Sequence, residues 1–236
     1  MQVETIGDAT LYLGDCFDIV PALGLKADHV LTDPPYAERT HKKAKTNHAK
    51  PGALAEAGGA DLLDFPAWSA ERFGEFLDLC ANACARWTVM TCDHFHAARA
   101  LEHPAFIRLG AWVKLGPMPQ ITGDRPGQGH EAVIVLHGEG RKRWNGGGGP
   151  GVWVFAPVKR GERFPTQKPP ALINALIGDF TDPGDLILDP CMGSGTTGAC
   201  AIAAGRRFIG IEARPAAFDW ACERLAAGHA QRRLFA

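Results

Sequence analysis

At 236 residues the chain has room for one α/β domain with a sizeable core and little for a second. It has 46% hydrophobic residues, no apolar run of bilayer length and no basic-then-apolar leader at its N-terminus, so a globular, cytoplasmic, non-membrane protein is expected. The net charge of −1 hides a segregation: residues 37–50 hold five Lys/Arg against one Glu, residues 141–168 hold seven against one, and the remainder carries −11. A basic face on an acidic body suits a polyanion such as nucleic acid, although charge runs are also common on plain solvated loops. Seven cysteines, an odd number set mostly in apolar patterns, read as reduced thiols. No second ligand pair accompanies Cys80 and Cys84, so no metal site is expected.

In chain order, Thr10–Leu13 reads as a short strand and 16–23 as one or two helical turns. Asp28–Thr32 is a buried strand that runs into Asp33-Pro34-Pro35-Tyr36, where two prolines bar both helix and ladder. Residues 37–65 are polar and then Gly/Ala-rich, as in a loop. Pro66–Arg86 has helical spacing, with Phe73, Phe76, Leu77, Leu79 and Cys80 on one face. Trp87–Cys92 is a strand, and Asp93 can cap a following helix. Phe106–Leu115 and Glu131–His137 are further strands, joined by a Gly/Pro-rich loop. Arg141–Pro150 is another loop, with Trp144-Asn145 before four glycines. Pro170–Phe180 is a helix, and Leu186–Asp189, a glycine loop, a helix from Thr196 and Arg207–Glu212 make one βαβ unit. A last helix starts at Pro215. Strands alternating with helices indicate a doubly wound, largely parallel sheet.

Two motifs carry chemistry. Asp189-Pro190-Cys191-Met192-Gly193-Ser194-Gly195-Thr196 links a strand to a helix, so its backbone can approach a ligand beside unsatisfied helix N–H groups. Glu212, 23 residues after Asp189 and at the end of the next strand, can accept from both hydroxyls of a ribose. Alone, this is a general nucleotide device. Asp33-Pro34-Pro35-Tyr36 adds the second half. An exocyclic amino group is a poor nucleophile because its lone pair is delocalised into the ring. The Asp33 carboxylate and the Pro34 carbonyl, each accepting one N–H, would favour a pyramidal nitrogen, and Tyr36 would stack on a base drawn out of its duplex. The bland alternative is a capping aspartate on a rigid turn. Open α/β sheets bind ligands where the winding reverses, so the two motifs should meet if their strands are neighbours there.

In this order, catalytic motif before cofactor motif, these residues resemble the β class of amino-methyltransferases acting on DNA. The likeness covers most of the chain, and its short loops resemble prophage-type members. It implies a Rossmann-like, S-adenosylmethionine-dependent fold with a mostly parallel seven-stranded sheet and a circularly permuted motif order. It implies one domain over residues 1–236, with recognition loops at about 37–60, 117–129 and 141–165. Asp33, Pro34, Pro35 and Tyr36 are then catalytic. S-adenosylmethionine would be held by Asp15, Cys16, Asp33, Thr166, Gln167, Lys168, Asp189, Pro190, Cys191, Met192, Gly193, Ser194, Gly195, Thr196, Glu212 and Ala213. The substrate would be adenine N6 in double-stranded DNA, with cytosine N4 as the alternative, because Asp at the first motif position is the usual choice for adenine. Arg39, Lys42, Lys43, Lys45, Arg141, Lys142 and Arg143 are the expected DNA contacts, and a homodimer is expected, with the helix 67–86 as its interface. The chain departs from the family pattern at Cys191, usually Phe, and at Phe164, often His. A reading from another class is a non-catalytic DNA binder with a vestigial cofactor fold. The intact Asp33, Tyr36, Gly193, Gly195 and Glu212 argue against it.

Overall fold

The computed structural model describes residues 2–24, 26–38, 40, 67–117, 119–158 and 167–233. Its strands are β1 (Gln2–Ile6), β2 (Ala9–Leu13), β3 (His29–Thr32), β4 (Trp87–Cys92), β5 (Phe106–Lys114), β6 (His130–His137), β7 (Val152–Phe155), β8 (Leu186–Asp189) and β9 (Arg207–Glu212). Its helices are α1 (Cys16–Leu23), α2 (Ala70–Asn82), α3 (His94–Ala100), α4 (Pro170–Phe180), α5 (Thr196–Ala203) and α6 (Pro215–Arg233). All nine strands join one sheet in the order β1-β2-β9-β8-β3-β4-β6-β5-β7. Among the described residues no helix is long and apolar enough to cross a membrane.

The seven expected strands are present, but the sheet has nine strands and is mixed. Strands β2, β9, β8, β3 and β4 run parallel, whereas β6 is antiparallel to both β4 and β5. The two additions are edges. β1 folds back on β2 as a hairpin whose turn glycine, Gly7, sits at φ 57°, and its side chains are mostly exposed, so it lacks the apolar run that betrays a buried strand. β7 has only four residues and pairs in parallel with β5. A Cβ on Gly110 of β5 would lie 2.6 Å from the Gly151 carbonyl, so a glycine is what lets β7 approach.

The pleat divides the core between two faces. Trp87 and Val89 of β4 and Val133 and Val135 of β6 pack with α4, α5 and α6; Met90, Cys92, Ile134 and Leu136 point the other way, toward α1, α2 and α3. Leu172, Ile173, Leu176, Ile177 and Phe180 recur on one stripe of α4 and are all buried. Each contributes roughly 1.5–3 kcal/mol relative to exposure. On α2, Phe73, Phe76, Leu77 and Cys80 are likewise core, so the helix expected to carry a dimer interface spends its large apolar face inside the chain. Exposed large apolar side chains lie elsewhere, among them Leu109 and Val113 of β5 and Val152 and Val154 of β7.

β3 and β8 are neighbours, with His29 opposite Ile187 and Val30 opposite Leu188. From β3 the chain winds outward to β4, and from β8 it winds the other way to β9. The reversal therefore lies between the two strands that precede Asp33 and Asp189, where a crevice must open.

Candidate active site

Carboxyl ends of the central strands open into a crevice of about 790 Å³. Asp33, Pro34, Pro35 and Tyr36 line one side of it, after β3. Asp189, Pro190, Cys191, Met192, Gly193, Ser194 and Thr196 line another, after β8. Glu212 and Ala213, after β9, and Asp15 and Cys16, after β2, complete that end, and Gln167 and Lys168 enter ahead of α4. Of the expected cofactor residues, Thr166 lies outside the described residues, as does the family departure Phe164. Gly195 does not face the crevice. Its φ is 75°, and an added Cβ would lie 2.9 Å from Ala221, so it is a glycine to let the start of α5 pack on α6.

The two motifs touch. Thr32 Oγ1, one residue before Asp33, donates to Asp189 Oδ1 at 2.7 Å, and the Cys191 amide donates to the same oxygen at 3.1 Å. Asp189 is only 2% exposed, and burial lifts its carboxyl to about 7. At the far end, the Gly14 amide donates to the Glu212 carbonyl at 3.0 Å, which ties the α1 entry to the β9 exit. Glu212 Oε1 accepts from the Arg214 amide and Nε, both at 3.0 Å. Asp15 caps α1 through the Phe17 amide and pairs with Arg72 at 3.0 Å.

The Asp33–Tyr36 turn is held from behind by α3. Asp93 caps that helix with Oδ1, and its Oδ2 accepts the Ala37 amide at 2.8 Å. His96 Nε2 lies 3.1 Å from the Pro35 carbonyl, and its ring stacks on Phe73 at 4.0 Å. Burial lowers the His96 pKa although Asp93 opposes it, which leaves a neutral ring able to donate to that carbonyl. The Pro35 carbonyl is thus engaged, whereas Pro34 also lines the crevice.

Around Asp33 lies a charged network that the sequence reading missed. Thr91 Oγ1 donates to Asp33 Oδ1 at 2.6 Å, and Lys168 Nζ donates to Oδ2 at 2.5 Å. Lys168 Nζ is also 3.6 Å from Glu131 Oε2 and 5.1 Å from the centre of the Tyr36 ring. Glu131 receives Tyr36 OH at 2.5 Å and Lys114 Nζ at 2.7 Å. Burial works against the Glu131 charge, but Lys168 and Lys114 prevail and hold its carboxyl at about 2. Burial raises the Asp33 carboxyl, Glu131 adding to it and Lys168 opposing. Burial also disfavours the Lys168 charge, yet Asp33 and Glu131 raise its pKa overall. Burial pushes the Tyr36 phenol well up, so it stays a donor. Glu131 and Lys114 sit at facing ends of β6 and β5, and no local motif marks them.

The expected DNA contacts separate. Arg39, Lys42, Lys43 and Lys45 lie outside the described residues. Arg141, Lys142 and Arg143 are exposed, at the amino ends of β4 and β8. Trp87, the first residue of β4, donates Nε1 to the Arg143 carbonyl at 2.6 Å, and Arg143 pairs with Asp182 just before β8. Asn145 is bound to the C-terminus of α4 through the Thr181 carbonyl at 3.1 Å. Both β4 and β8 have their amino ends there, whereas the crevice opens at their carboxyl ends. Trp144 packs near Phe180, and Trp153 is buried with its Nε1 on Asp179. Both tryptophans serve packing. The 117–129 loop does reach the crevice, through Gln120, Arg125, Pro126 and Gln128. Among the described residues no cluster of His, Cys, Asp or Glu is suited to a metal.

A profile of the family described as DNA methylase, of N6 and N4 type, matches residues 143–223. That match covers about a third of the chain. The "DNA adenine methyltransferase YhdJ" of Escherichia coli (strain K12) is 54% identical over 65 residues, which are 26% of this chain and 22% of that protein. The "Type II methyltransferase M.HinfI" of Haemophilus influenzae is 26% identical over 266 residues, covering 95% of this chain and 71% of that protein. Solved structures superpose on nearly the whole chain. The M1.HpyAVI structure solved as a SAM complex superposes with a TM-score of 0.65 at 28% identity, covering 92% of this chain and 98% of that one. The cytosine-N4-specific PvuII methyltransferase gives a TM-score of 0.69 over 96% of this chain and 93% of that one, at 14% identity.

Proposed function

We propose that this chain transfers a methyl group from S-adenosyl-L-methionine to the N6 amino group of adenine in double-stranded DNA. The observation that carries the reading is the union of the two motifs in one crevice, with Thr32 joining β3 to Asp189 at 2.7 Å. The residues present fit the cofactor. A buried carboxylate, Glu212, ends β9 and suits ribose hydroxyls, and the loop at Gly193 (φ 52°) exposes backbone beside the start of α5. Asp33 stands on the other flank, after β3. When bound, the cofactor supplies an electrophilic methyl on a sulfonium.

Everything else is the work of the chain. Asp33 and the Pro34 carbonyl accept the two N–H groups of the target and aim its lone pair; Tyr36 offers a ring to a base drawn out of the duplex. Thr91, Asp93 and His96 keep this clamp in place. Asp at the first motif position, and the adenine methyltransferase relative from E. coli, favour adenine over cytosine. Basic residues of the 37–50 segment are the candidates for phosphate contact, and a homodimer remains part of the reading, testable by sedimentation at micromolar concentration.

Expression in a host free of DNA methylation, followed by nucleoside mass spectrometry and modified-base sequencing, tests the proposal. N6-methyladenine at a defined site is expected. N4-methylcytosine alone would reverse the choice of base, and unmodified DNA would refute the activity.

A further inference from the structure

We propose that Lys168 holds the place of the target amino group at Asp33 in the free protein, and is handed to Glu131 when the base enters, which makes Glu131 a positioning residue. The inference rests on the methyl-transfer reading. Four distances carry it. Lys168 Nζ occupies Asp33 Oδ2 at 2.5 Å, while Thr91 already fills Oδ1 at 2.6 Å, so both oxygens have donors before any base arrives. The same ammonium lies 5.1 Å from the centre of the Tyr36 ring, in the space a stacked base needs. Its second carboxylate, Glu131 Oε2, is only 3.6 Å away, within reach of a rotation of the lysine end.

The exchange conserves charge. Asp33 and Glu131 face Lys168 and Lys114, and Lys168, Glu131 and Lys114 have side chains only 10%, 14% and 17% exposed. An ammonium leaving Asp33 with nowhere to go would be a nearly buried, unpaired charge, a costly state. Glu131 removes that cost, because burial, which disfavours its charge, is outweighed by Lys168 and Lys114 and its carboxyl stays ionised at ordinary pH. The base then meets a vacated acceptor and a cleared ring.

The test uses the full chain and a duplex carrying the site found methylated in the host. Glu131→Gln takes away the receiving charge. Its kcat/KM for DNA should fall about tenfold or more, with S-adenosylmethionine affinity by calorimetry within about twofold of wild type. Lys168→Met added to Glu131→Gln removes the trapped lysine and, assayed at S-adenosylmethionine concentrations that saturate the double variant, should recover about tenfold over the single variant. A residue that merely supported the fold would not be rescued by a second lesion. Near-normal turnover of Glu131→Gln, or a double variant no better than the single, would overturn the proposal. A crystal structure of the wild type with an extruded base is independent of variant folding: Lys168 on Glu131 supports the exchange, and Lys168 still on Asp33 Oδ2 beside a seated base refutes it. Wild type without any methyl transfer to DNA would instead fell the underlying reading, and the exchange with it.

Discussion

Asp189→Asn should make the protein more stable, and increasingly so as pH rises. Asp189 is 2% exposed at the end of β8, and burial lifts its carboxyl from 3.8 to about 7 against the hydrogen bonds from Thr32, Thr197 and the Cys191 amide. Between those two values the folded chain holds a proton that the unfolded chain has released. The folded state therefore binds more protons there, and stability falls as pH rises through the window. The full displacement amounts to ~4 kcal/mol lost above pH 7. Asparagine has nearly the same shape, keeps an acceptor for Thr32 Oγ1 and the Cys191 amide, and carries no charge to desolvate. Urea unfolding of both proteins at pH 5, 6, 7 and 8 isolates the effect, because every other titration is common to the pair. The stability difference should move in favour of the variant by about 2.5 kcal/mol from pH 5 to pH 8. A difference that stays flat with pH would show that Asp189 ionises as freely as a surface carboxylate, and would refute the burial argument.

If the proposed clamp is right, Asp33→Ala should abolish methyl transfer, measured with tritiated cofactor, while cofactor affinity by calorimetry changes little, since the proposal matches the carboxylate to the reacting nitrogen. Glu212→Ala should weaken cofactor binding by roughly 1–3 kcal/mol, the scale for a hydrogen bond to a charged group; unchanged affinity removes Glu212 from the site. Replacing Arg141, Lys142 and Arg143 together by alanine should leave DNA affinity and its salt slope as in wild type, since they stand at the amino ends of β4 and β8. A slope reduced by about 0.9 per residue in a filter-binding titration would place them on phosphates after all.

Much of the candidate site was legible because its motifs are local. Proline at 34 and 35 dictates an extended turn wherever it occurs, and Gly193 needs its left-handed φ whatever surrounds it. The apolar runs at 29–32 and 186–188 mark buried parallel strands, since both faces of such a strand are covered. Asp93 is likewise legible as a helix cap, because capping depends on the next three residues.

Other features depended on distant partners. β1 and β7 are strands only because an edge was free to receive them. The basic run at 141–143 has the charge of a DNA contact, and only the bond from Trp87 to the Arg143 carbonyl shows it tied to the end of the sheet remote from the crevice. Gly195 looks like a ligand-facing glycine until Ala221 is found 2.9 Å from where its Cβ would be. Glu131 and Lys114 meet Asp33, Tyr36 and Lys168 because the sheet order β3-β4-β6-β5 places those strand ends side by side. Sequence carries the chemistry of each side chain, but the pairing of charges across 17 to 135 residues is a property of strand order, and only the folded sheet decides it.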